Sequence, residues 1–180
     1  VLSFDGKGVV MRPEGLRPQT RKAAMKSKKL RSRLSAGEKR NRKRMAEVAA
    51  VYSIAPRPRT LGQVLHEQGS GPVPPRPKPQ NKRVWASLVD NARSVIFDAF
   101  LEATIRDPEL ERRWVVLVDG NRDQIRYINE AAVWIGQPLT MVLDVIHVLE
   151  YVWKAAWCLF KKGDTAAERW VADKLRRLLR

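Results

Sequence analysis

An α/β fold is predicted by three adjacent segments of the sequence. Residues 114–118 form an unbroken apolar run, Trp-Val-Val-Leu-Val, that stops at Asp119-Gly120, the profile of a strand buried on both faces. Residues 122–135 place Ile125, Ile128 and Ala132 on one side of a helix, with Gly136 just past its end as a left-handed stop. Residues 139–143 make a second apolar run, met directly by Asp144. Strand, helix and strand so closely spaced imply two parallel strands joined by a right-handed crossover. Asp119 and Asp144 would then leave their strands at the same carboxyl edge, where open α/β sheets bind ligands.

The remaining elements follow in chain order. Residues 1–4 and 9–11 suggest two strands joined by a tight turn at Asp5-Gly6-Lys7-Gly8, the glycines supplying the positive φ of a hairpin. If the first strand runs parallel to the later two, Asp5 reaches the same edge. Residues 12–44 hold 14 Lys and Arg against only Glu14 and Glu38, a basic arm whose scattered apolar residues give it no core of its own. Residues 45–54 suggest a further strand, with the alanines leaving a helix open. Residues 56–82 contain seven prolines together with Gly69 and Gly71, the composition of an extended linker or loop. Apolar residues at 84, 85, 88, 89, 92, 95, 96, 99 and 100 predict a helix over residues 84–106, stopped by Asp107-Pro108. A long helix is expected over residues 145–162, ended by Gly163-Asp164, and a last one from Thr165 onward. The organisation is therefore residues 1–55 as first strands carrying the arm, 56–82 as linker, 83–162 as a helix-strand-helix-strand-helix unit, and 163–180 as the start of a helical region.

Composition narrows the partners. The 180 residues suffice for one substantial core with an appended arm. Lys and Arg number 35 against 19 Asp and Glu, a formal charge of +16 that favours a polyanion, nucleic acid first and an anionic membrane surface second. The single cysteine, Cys158, makes no internal disulfide and suits a reducing compartment. With only His66 and His147 beside it, a Cys/His zinc finger is excluded. Residues 141–160 have spanning length, but Asp144, His147, Glu150 and Lys154 make burial in lipid expensive, so no membrane is expected. No secretory leader is visible at the start, and the chain opens without Met inside a strand, as a fragment would.

The chemistry is expected where Asp5, Asp119 and Asp144 converge. Carboxylates are hard oxygen ligands suited to Mg²⁺ or Mn²⁺. Two such ions about 4 Å apart can activate an attacking oxygen and stabilise a leaving one in phosphoryl transfer. Plainer roles stand beside this one. Asp5-Gly6 is a common turn pair, Asp119-Gly120-Asn121 suits a capped strand-to-helix turn, and Asp144 suits a helix N-cap. His147, three residues after Asp144, is placed to share its site. Tyr151, Trp153, Trp157 and Phe160 are expected in packing.

Four strings carry a family resemblance: residues 1–13 (VLSFDGKGVVMRP), 37–45 (GEKRNRKRM), 114–121 (WVVLVDGN) and 143–157 (LDVIHVLEYVWKAAW). Together they resemble the Kra-type insertion-sequence transposases, over most of the chain and least in the proline-rich segment. The resemblance implies an RNase H-like mixed sheet, the arm inserted after the first hairpin, and DDE chemistry on double-stranded DNA, both element ends and target. It implies Asp5 and Asp119 as metal-binding acids, and Asp144 with His147 as the Asp-x-x-His element of related transposases. The family's third acid, a glutamate in a Gly-x-Ile-Glu-Gly-like string, lies farther downstream than Arg180, so a core fragment weak in catalysis by itself is expected, with Glu150 the best internal substitute. Lys39, Arg40, Arg42, Lys43 and Arg44 are expected to grip phosphates without reading sequence, and a homo-oligomer is possible. The alternative is a non-catalytic basic nucleic-acid-binding protein, in which the aspartates are turns and caps. A nucleotide-handling α/β enzyme lacks its glycine-rich phosphate cradle here.

Overall fold

The computed structural model describes residues 1–26, 42–65 and 69–179. Five strands form one mixed sheet: β1 (Leu2–Val10), β2 (Lys43–Ser53), β3 (Gln80–Ser87), β4 (Trp114–Val118) and β5 (Leu139–Leu143), in the order β3-β2-β1-β4-β5. The helices are α1 (Pro18–Lys26), α2 (Leu61–Leu65), α3 (Ala92–Arg106), α4 (Arg122–Ile135), α5 (Val145–Leu159) and α6 (Thr165–Leu178). β2 pairs antiparallel with both β1 and β3, while β1, β4 and β5 run parallel.

One face of the sheet packs on α3 and α4. Leu2 and Phe4 of β1, Ala49 and Val51 of β2 and Val116 and Val118 of β4 meet Ile96, Phe100 and Ile128 in a single buried cluster. Alternation along each strand selects the inward set, as a sheet covered on one side requires. A second, small cluster joins α5 to α6 through Ala156, Ala167 and Val171. None of the described helices is long and apolar enough to cross a membrane.

The unit from β4 to β5 has the boundaries the apolar pattern predicts, and Gly136 closes α4 at φ 77°. Three other expectations are corrected. No hairpin turn exists at Asp5-Gly6-Lys7-Gly8: β1 runs straight through, paired with β2 from Leu2↔Val51 to Val10↔Lys43. The glycines there answer to a neighbouring strand. A Cβ at Gly8 would lie 3.0 Å from Lys43 Cδ, and one at Gly6 3.4 Å from Met45 Cε. The basic insertion therefore lies between two long paired strands, and Lys43 and Arg44 belong to β2 itself.

The insertion also has more structure than its charge suggested. Leu16 and Ala24 are buried, and Arg21 ties α1 back by donating to the carbonyls of Pro13 (2.9 Å) and Glu14 (2.7 Å). Lys39 and Arg40 lie outside the described residues, as does His66.

The helix expected over residues 84–106 is a strand followed by a shorter helix. Val84 and Trp85 pair with Ala50 and Ala49 of β2, extending the sheet as its edge. The proline-rich segment contains α2, opened by a reciprocal capping box. Gln63 N donates to Thr60 Oγ1 at 3.2 Å, and Thr60 N donates to Gln63 Oε1 at 3.0 Å. Between β3 and α3, Asn91 accepts from Ser94 N at 3.0 Å and sets the true start of the helix. Asn91→Ala is expected to cost about 1 kcal/mol in chemical denaturation, the usual loss for a cap; an unchanged midpoint would mean α3 is held by packing alone.

Candidate metal centre

Parallel pairing of β1 with β4 matches Leu2 with Val116 and Ser3 with Leu117. Carried two residues further, that register sets Asp5 level with Asp119. β4 has ended by then while β1 continues, so Asp5 sits in mid-strand with its outer flank open at the carboxyl edge. β5 pairs Leu143 with Val118, which brings Asp144 to the same edge. All three sequence-predicted aspartates therefore lie where the crossover argument places them, Asp5 by way of a strand rather than a turn.

Each of the two later aspartates also has a structural task. Asp119 Oδ1 accepts from Asn121 N at 2.8 Å across Gly120, whose φ of 97° suits glycine. Asn121 in turn caps α4, accepting from Asp123 N and Gln124 N. Asp144 caps α5 through Oδ1, which accepts from Ile146 N at 2.9 Å, and its Oδ2 lies 3.3 Å from His147 Nδ1. One carboxylate thus orients both a helix start and an imidazole.

The set of side chains that meets is Asp5, Asp119 and His147, each offering a ligand atom within 4.8 Å of the others. Asp144 stands behind His147 rather than inside this cluster. With Nδ1 engaged by Asp144, Nε2 is the ring nitrogen left for the two aspartates, the carboxylate–histidine arrangement common behind metal ligands. Two carboxylates and a buttressed imidazole suit a divalent cation such as Mn²⁺, and the carboxylate pair suits Mg²⁺. Glu150 lies elsewhere, on an exposed part of α5 with its carboxylate 3.8 Å from Lys154 Nζ.

Two neighbours of the site escaped the sequence reading. Glu47 on β2 stands opposite Gly6, and its Oε1 accepts from Gln124 Nε2 at 2.6 Å. Gln124 is only 2% exposed and its own Oε1 has no partner among the described residues. The one available signal was a polar residue four positions before Ile128, on the inward stripe of α4. Burial pushes the Glu47 carboxyl above its ordinary range, opposed by the Gln124 hydrogen bond and reinforced by the charges of Asp119 and Asp5.

A carboxyl raised by folding contributes stability that is complete below its unfolded pKa and is lost as pH rises through the folded value. Glu47→Gln is therefore expected to raise the Tm at neutral pH and to leave it nearly unchanged below about pH 4, where glutamate is protonated in either state. A Tm lowered at pH 7 would contradict this.

Of the basic residues expected to grip phosphates, Arg42, Lys43 and Arg44 are described. Lys43 and Arg44 pair with Val10 and Val9, at the end of β1 that projects past Asp5. No protein family, curated protein or solved structure matches this chain.

Proposed function

We propose that this chain carries the cation-binding centre of a DNA-cutting and strand-joining enzyme, an RNase H-like transposase core. The observation that carries the reading is the meeting of Asp5, Asp119 and His147 at the carboxyl edge, from three elements distant in sequence. A five-stranded mixed sheet with flanking helices is compatible with the RNase H-like layout. Asp5 and Asp119 are the residues that would hold Mg²⁺ or Mn²⁺. Such an ion supplies Lewis-acid stabilisation of the charge that develops on the phosphodiester oxygens. His147, its Nδ1 turned to Asp144, would offer Nε2 as a third ligand atom for that ion. The substrate in this reading is double-stranded DNA, the ends of a mobile element and its target, acted on in the bacterial cytoplasm.

A second reading, a non-catalytic basic DNA-binding protein, is favoured by the +16 charge and by the capping work of Asp144 and Asn121. Metal dependence separates the two, since phosphate contacts by Lys and Arg need no divalent ion. With purified chain and duplex DNA, slow nicking is expected in Mg²⁺ or Mn²⁺, abolished by Asp119→Asn and retained in Glu150→Gln. The rate is slow because two carboxylates leave a second ion poorly placed, and an error of about 1 Å costs on the order of a hundredfold. Fast cleavage lost in both variants would make Glu150 the third acid. DNA binding with no metal-dependent nicking would favour the second reading.

A further inference from the structure

A cavity of about 1010 Å³ opens at the other end of the sheet, where β1 and β4 begin and β2 ends. Six arginines line it: Arg57, Arg59 and Arg76 from the proline-rich segment, and Arg106, Arg112 and Arg113 from the α3–β4 connection. The one acid among its lining residues is Asp107. That carboxylate is already occupied, accepting from Trp114 Nε1 at 2.8 Å, Arg112 N at 3.1 Å and Glu111 N at 3.2 Å. It leaves most of the arginine charge uncompensated.

The arginines divide by task. Arg106 is structural, donating to Glu102 and to the carbonyls of Val51 (3.2 Å) and Asn81 (2.6 Å). Arg112 reaches Ser53 Oγ at 3.2 Å, and Arg113 lies 3.4 Å from Thr140 Oγ1. Arg57 donates to the Pro74 carbonyl, yet its Nε is buried with no acceptor among the described residues. Arg59 and Arg76 make no ion pair with any described residue. A buried unpartnered donor beside two free guanidiniums is a site short of an acceptor, and Arg is the side chain whose planar fork fits phosphate.

We infer that this arginine-lined cavity binds the sugar-phosphate backbone of a nucleic-acid strand running toward the Asp5–Asp119 edge. The inference rests on the proposal that the chain acts on DNA. Leu117 and Val142 line the cavity, each two residues short of Asp119 and Asp144, so the cavity runs along the sheet toward the acidic edge. Beyond that edge stand Arg42, Lys43 and Arg44 at the far end of the β1–β2 ribbon. Basic groups thus flank the acids on both sides. β1 itself spans roughly 27 Å at about 3.4 Å per residue, equal to about eight phosphates of one duplex strand. A free nucleotide would reach one end only. Positive charge at both ends also offsets the repulsion between the phosphates and the aspartates that lie between them.

The test is fluorescence anisotropy with the full 180-residue chain, a labelled oligonucleotide of about 20 nucleotides and EDTA present, so that the cation centre takes no part. Each phosphate contact adds about 0.7 to the log–log salt slope for a single strand and about 0.9 for duplex. Combining Arg57→Gln, Arg59→Gln and Arg76→Gln is expected to lower the single-strand slope by about 2. Lysine at the same three positions should restore most of it, which a folding defect would not allow. A slope unchanged in the glutamine variant would refute the inference. So would competition by inorganic phosphate or dAMP as effective, per phosphate, as that of the oligonucleotide, since the site would then hold a single phosphate. Loss of slope without any metal-dependent nicking would overturn the proposed function while leaving this surface in place.

Discussion

Asp119→Asn is expected to weaken divalent-cation binding by more than about 100-fold, because losing merely an outer-shell partner costs about 10- to 100-fold and Asp119 supplies one of two carboxylates. The fold should survive. An asparagine Oδ1 can still accept from Asn121 N, the bond that Asp119 makes at 2.8 Å, so the loop into α4 keeps its anchor. Calorimetric titration with Mn²⁺ separates charge from structure here, since the variant should melt like the parent without added metal. An affinity unchanged by the substitution would place the bound cation somewhere other than this edge. Asp144→Asn should have a smaller effect, since Asp144 acts on the cluster through His147.

Phe100→Ala should produce the largest loss of stability, about 3–5 kcal/mol, the usual range for removing a buried phenylalanine. Phe100 is fully buried, and its ring centroid lies 6.0 Å from that of Trp114, where α3 meets the start of β4. Against a total of roughly 5–15 kcal/mol for a typical domain, the variant would be near or below the limit of folding. Urea denaturation followed by tryptophan emission measures the shift. A loss below about 1 kcal/mol would mean that the α3 side of the sheet is not the principal core.

The parts of the fold most legible in the sequence were those with an unambiguous period. Trp114–Val118 and Leu139–Leu143 are short apolar runs next to Asp-Gly and Asp, and the helix between them ends at a glycine. Parallel pairing then followed from crossover geometry, and with it the common edge of Asp119 and Asp144. The mistakes came where one residue type serves two physical purposes. Gly6 and Gly8 suggested a turn because glycine tolerates positive φ, but here they make room for Met45 and Lys43. Val84 and Trp85 fell on a helical stripe by spacing, yet they pair with β2 and precede a Ser87–Asp90 turn. Single-residue spacing carries no information about a partner strand more than thirty residues away.

The site was legible in outline. Asp5 and Asp119 meet, and His147 joins them in place of a third carboxylate. Proximity in sequence suggested that Asp144 and His147 share a site, and the helix geometry of i and i+3 brings them to 3.3 Å. Which of the two faces the aspartates depends on the α5 cap, which fastens Asp144 to Ile146 N and leaves the imidazole to reach inward. The Glu47–Gln124 pair depends on strand register across an insertion and on the packing of α4, neither of which a local pattern encodes.

Paramagnetic NMR with Mn²⁺ locates the bound cation on the chain, because broadening falls off steeply with distance from the ion. At substoichiometric Mn²⁺ the His147 ring signals and the amides of Gly6 and Gly120 should be lost selectively. The amides of Arg113 and Trp114, at the opposite end of β4, should persist, and Asp119→Asn should abolish the pattern. Broadening centred on Glu150, Asp173 or other exposed acids, with the amides of Gly6 and Gly120 untouched, would contradict it.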